Sequence, residues 1–117
     1  MSFQQSESVT ITTDASGDAT GYTAAIRGKL VAIKYAKTDY ANGVDFTITT
    51  ETTARNVWVD TNVNASETVY PRTLVQDTAG SDVAGSYDAL RLFNERVKIV
   101  VAQGGNTKTG SFTVFYE

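Results

Sequence analysis

Glycine, lysine and hydroxyl side chains fall together once in this chain at a spacing that could hold a phosphate. In "RVKIVVAQGGNTKTGSFTVFY", residues 96 to 116, Gly105 and Gly110 are separated by four residues. A phosphate loop needs that spacing followed by Lys and then Ser or Thr, with a helix to follow so that its amides and dipole meet the anion. Here Ser111 and Phe112 follow Gly110, and Lys108 falls inside the loop. The residues after it alternate as a strand does. The loop is therefore expected to turn the chain rather than cradle an anion.

A second candidate is "DASGDATG", which sets Asp14, Ser16 and Asp18 at alternate positions like the start of a calcium loop. The EF-hand pattern requires Gly at the sixth position and a bidentate Glu at the twelfth. This chain has Ala19 and Ala25 there, so an acidic β-turn is expected instead. None of the thirteen acidic residues is singled out as half of a glycosidase pair. The chain has no histidine and no cysteine. That rules out Ser-His-Asp and Cys-His nucleophilic arrangements, disulfides and thiolate metal sites. No catalytic residue, cofactor or metal is expected, and the chain is read as a non-enzyme.

At 117 residues the chain fits one domain, residues 1–117, large enough to bury a core of its own. Net charge is −3 with cations scattered along the sequence, which argues against nucleic acid as a partner. The N-terminal "MSFQQSESVT" shows no basic segment leading into an apolar one, and no stretch approaches the roughly 20 apolar residues that span a bilayer. A soluble protein made in the cytoplasm, with no membrane partner, is expected. The "NAS" at Asn64 then reads as a chance glycosylation match.

The elements that must position any site are strands. Thr, Val, Ile, Tyr and Phe alternate along most of the chain, as in half-buried strands. Val9 and Ile11 share one face of "SVTITTD"; Val31, Ile33 and Tyr35 share one face of "KLVAIKYAK"; "YTAAIRG" is a weaker strand. Asn42-Gly43 predicts a hairpin turn after which "VDFTITTET", with Val44, Phe46 and Ile48 inward, pairs back. Pro71 interrupts "ETVYPRTLV" and belongs at an edge or bulge, a natural docking place. Residues 77 to 95 break the alternation with Gly80 and Gly85 and predict a long loop with one short helical turn carrying Leu90 and Phe93 on a common side. The final two runs, Val97, Ile99 and Val101 and then Phe112, Val114 and Tyr116, predict a hairpin. The fold class is all-β: a single antiparallel β-sandwich, jelly-roll or Ig-like, with at most one short helix.

Trp58, Tyr70, Tyr87 and Phe115 are the aromatics that could form a platform for sugar rings or anchors for a protein partner. Strict alternation turns Trp58 and Phe115 outward, because Val57, Val59, Val114 and Tyr116 claim the inward positions. Core packing and partner contact stay open for these two, while Tyr70 and Tyr87 are expected in the core. The candidate protein interface is Trp58, Phe115, Tyr70, Pro71 and Arg72.

The stretches "VTITTDASGDATGYT", "GVDFTITTE", "NVNASETVYPR" and "ERVKIVVAQGGNTKTGSFTVF" together resemble small structural proteins of tailed bacteriophage virions. The resemblance covers nearly the whole chain and is one of pattern and order. It implies a β-rich protein with a structural role, first of all a head decoration or cement protein on the outer capsid surface, with the major capsid protein or other virion proteins as partners. It also implies homo-oligomers, trimers among them. A neck, tail or tail-tip position is the first alternative, and a carbohydrate-binding sandwich is the second. No functional residue is carried over, because such proteins have no active site to map.

Overall fold

The computed structural model describes residues 4–117; the first three residues of the N-terminal stretch read above lie outside it. Ten strands follow in order: β1 Gln5–Thr12, β2 Ala19–Tyr22, β3 Ile26–Lys37, β4 Val44–Thr50, β5 Asn56–Val63, β6 Glu67–Val69, β7 Arg72–Gln76, β8 Asp82–Glu95, β9 Val97–Ala102 and β10 Thr109–Tyr116. They form two antiparallel sheets packed as a β-sandwich. One runs β1-β10-β3-β8-β7, with β6 also on β3, and the other runs β2-β9-β4-β5. There is no helix among the described residues, hence none long and apolar enough to cross a membrane.

The period-two pattern does what it should in β10, where Gly110, Phe112, Val114 and Tyr116 are buried and the residues between them are not. Phe112 lies in an aromatic cluster at the centre of the sandwich. Phe46 meets it edge-on at 5.0 Å, Tyr35 stacks on it at 5.3 Å, and Trp58 reaches Phe46 edge-on at 5.3 Å. Offset and edge-to-face pairs of this sort add about 0.5–1.5 kcal/mol each beyond burial. Tyr40 plugs one end of the core and donates its hydroxyl to the Ile11 carbonyl at 2.7 Å. A Cβ on Gly110 would come within 2.3 Å of the Tyr40 ring, so this glycine is there for close packing.

Both hairpins expected from adjacent apolar runs are instead crossings between the sheets. β3 lies in one sheet and β4 in the other, and β9 and β10 are likewise divided. Alternation says that one side of a strand is buried; it does not say whether the next strand lies beside it or across the core. The two crossing loops are tied together, Ala41 donating its amide to the Gly104 carbonyl at 2.9 Å and Asp39 to the Thr109 carbonyl at 3.1 Å. Gly43, the expected turn residue, donates to the Asn64 side chain at 2.7 Å.

Bulges account for the displaced inward faces. Leu30 pairs with Tyr116 and Ala32 with Phe115, which leaves Val31 as an extra residue, half-buried rather than in the core. In β5, Ile48 opposes Trp58 and Thr49 opposes Asn56, so Val57 is the extra residue and Trp58, not Val59, turns inward.

The stretch 77–95, expected as a loop with a helical turn, is mostly the longest strand. β8 pairs with β3 through Ile26 to Leu30, and with β7 through Arg72 to Gln76. Leu90 is buried while Phe93 is 63% exposed, on the opposite face. Gly85, at φ +80°, sits inside an irregularity of the β7–β8 pairing, and this is what hid the strand's period.

A candidate interaction surface on a projecting hairpin

β3 offers one edge to β10. Its other edge is divided: β8 takes residues 26–30, and β6 takes residues 33–35. Once β6 has occupied the second stretch, the remaining half of β8, residues 82–89, has no place in the main sheet and pairs with β7 alone. The result is a two-stranded arm, and residues 75–88 on it are all exposed. The molecule measures 46 × 29 × 23 Å, with a radius of gyration of 14.8 Å where about 13 Å suits a compact domain of this length.

The arm is closed by its own turn chemistry. The Asp77 carboxylate accepts from the amides of Ala79 at 2.9 Å and Ser81 at 3.0 Å, the Asp77 amide donates to the Ser81 carbonyl at 2.9 Å, and Gly80 takes φ +81°. With its shape held by backbone and turn bonds, the hairpin leaves large apolar side chains in water. Tyr70 and Tyr87 are each 65% exposed, and Val83 and Val75, the latter turned to the face of the arm away from Tyr87, are exposed as well. Large apolar side chains left in water on both faces of one projecting element favour a contact role for it.

The five interface candidates separate. Tyr70, Pro71 and Arg72 do come together, at the base of the arm where β6 gives way to the edge strand β7, so the expectation that Pro71 marks an edge holds. Arg72 lines a concavity of about 310 Å3 with Lys29, Tyr87, Asp88 and Glu117. Phe115 is half-buried on the outer face of the main sheet, as alternation suggested. Trp58 is 8% exposed and belongs to the core, because the bulge at Val57 reverses the alternation. Tyr70 and Tyr87, expected in the core, are outside it. Tyr87, Val75, Val83 and Phe93 were missed as surface residues. The signal for them was "DTAGS", a turn sequence between two β-forming stretches.

The two ligand-like loops have structural work. Thr13 donates its hydroxyl to the Gly105 carbonyl at 2.6 Å and accepts from the Lys108 amide at 2.9 Å, while Gly104 donates to Gly17 at 2.9 Å. The Asp14 carboxylate accepts from the Ser16 and Asp18 amides at 2.8 and 3.1 Å. Among the described residues no group of three acidic side chains is placed to hold a metal ion.

Two buried polar groups belong to the core. Burial pushes the Glu95 carboxyl up, but hydrogen bonds from Thr53, Phe93 and Thr52 outweigh it and hold the group below the usual carboxylate range. The amides of Thr52 and Thr53 lie 2.9 and 3.0 Å from one oxygen and that of Phe93 3.1 Å from the other, so Glu95 fastens the β4–β5 turn to β8. The Tyr35 hydroxyl has no partner among the described residues, and burial raises it to about 12.

No known protein family matches the chain, and no curated protein is similar to it in sequence.

Proposed function

We propose that this chain is a non-enzymatic structural protein of a tailed-phage virion, a head decoration or cement protein that attaches to the outer capsid surface through its arm. The observation that supports the reading is the β7–β8 hairpin, a projection closed by its own turn bonds that leaves Val75, Val83 and Tyr87 in solvent, with Tyr70 exposed at its base. Aromatic anchors on a preorganised element lose little entropy when they seat in a partner's pocket. The resemblance of nearly the whole chain, in pattern and order, to virion structural proteins supports the capsid as the partner. A protein that binds only the assembled shell stabilises it by about 2.7 kcal/mol per site when present at a hundredfold excess over Kd.

The test is co-sedimentation of the purified protein with empty heads and, separately, with tails. Binding to heads is expected. Binding to tails alone would move the protein to the neck or tail, and binding to neither would remove the virion reading.

A further inference from the structure

The cations scattered along the sequence are sorted by the fold. Pairing sets Lys29 directly opposite Arg91, Arg27 opposite Phe93, and Lys34 opposite Thr113, all on the outer side of the main sheet. Arg72, opposite Ala89, takes the same side. Phe93 and Tyr87 stand exposed among these cations. Glu117, which exchanges backbone bonds with Lys29, shares this side, as does Asp82, opposite Gln76; Glu7, Glu67, Asp88 and Glu95 pair onto the other, although Asp88 also lines the concavity beside Lys29 and Arg72. Five of the ten cations thus meet two of the thirteen acids on this face, leaving five cations against eleven acids elsewhere.

None of the five cations has a carboxylate within 4 Å; among the described residues the ion pair is Arg96 with Glu51, on other elements. Lys29 beside Arg91 is a like-charged pair directly across strands, which destabilises a sheet unless an anion lands on it. The matching surface is on the same molecule but cannot reach it. Beside β2, an edge strand of the second sheet, Asp14, Asp18, Ala19 and Thr20 line a cleft of about 330 Å3 with Val100, Val101 and Ala102.

The geometry points to head-to-tail association between copies of this chain, the Lys29–Arg91 face of one seating its cations in the Asp14–Asp18 cleft of the next. The two surfaces differ, so the contact is heterologous and either closes into a ring or runs on as a filament. This inference stands apart from the virion reading, since it concerns the purified protein alone. Its strength must fall with salt, because the Debye length drops from about 30 Å at 0.01 M to about 3 Å at 1 M.

The experiment is sedimentation velocity on the whole chain and two variants whose changes lie on exposed positions. One carries Lys29→Glu and Arg91→Glu on the face; the other carries Asp18→Lys and Thr20→Lys in the cleft. Unmodified protein is expected to associate at low salt and to come apart at high salt, and each variant alone to lose at least tenfold in affinity with its melting temperature kept. Mixed in equal amounts, the two variants bring together one intact face and one intact cleft, and are expected to recover association that neither shows alone. A chain that stays monomeric at low salt overturns the inference, as do variants that associate like the unmodified protein or a mixture that recovers no association. Retention on heparin by a chain that never self-associates would assign the face to a polyanion instead.

Discussion

The sandwich body and the β7–β8 arm are built from the same residue types, yet they use them in opposite ways. In the body, each strand has a second sheet across from it, so its apolar side chains are removed from water and its polar ones are left outside. The arm has no layer across from it beyond Leu90, and Tyr87 and Val75 remain in water at an energetic disadvantage that folding does not recover. A body residue is explained by what it packs on. An arm residue of the same chemistry calls for something outside the chain.

The sharpest break of this contrast is a pair of aromatic truncations. Trp58→Ala removes a ring packed on Phe46 and should cost about 3–5 kcal/mol, with a corresponding fall in melting temperature. Tyr87→Ser on the arm should change stability by less than about 0.5 kcal/mol. Equal losses from the two would erase the distinction between body and arm.

Glu95 comes next. In Glu95→Gln an amide NH2 replaces one of the oxygens facing the Thr52, Thr53 and Phe93 amides, so a buried donor loses its partner. The expected loss in chemical denaturation is about 1–3 kcal/mol. The pH dependence has a definite sign. The folded carboxyl titrates below its unfolded value of about 4.3, so the unfolded chain binds more protons in that window. The stability Glu95 contributes is fully present above about pH 4.3 and lost as pH falls through its lowered folded value. The Gln variant should lose this part of the acid slope, and an unchanged slope would assign it to other carboxylates.

A smaller effect is expected at Tyr35. Its hydroxyl is buried without a partner, so Tyr35→Phe should leave stability unchanged or raise it by up to about 1 kcal/mol, read from thermal melting. A loss beyond that would reveal a partner for the hydroxyl.

Much of the body was legible in the sequence, and the arm was not, for a physical reason. β4 and β10 bury one face completely, and a buried face writes its period into the residues: Val44, Phe46 and Ile48, or Phe112, Val114 and Tyr116. β8 buries a face only from Leu90 onward, so residues 82–89 carry no such period, and Gly80 and Gly85 read as loop. Bulges produced the other errors. An extra residue at Val57 turns Trp58 inward where strict alternation turns it outward, and the pairing that creates the bulge lies in β4. The inter-sheet crossings at 38–43 and 103–108 look like hairpins in the sequence because facing strands and neighbouring strands have the same alternation. At the candidate surface, Pro71 gave the edge correctly, while the sorting of Arg27, Lys29, Lys34, Arg72 and Arg91 onto one face exists only after the strands have paired.

The central claim is that the arm serves contact and not folding. It is tested most directly by measuring head binding and melting temperature together in the double variant Tyr70→Ser, Tyr87→Ser. Binding to empty heads is expected to weaken at least tenfold, about 1.4 kcal/mol or more, while the melting temperature stays within a few degrees of the unmodified protein. Unchanged binding, or a melting temperature that falls as far as in Trp58→Ala, would contradict it.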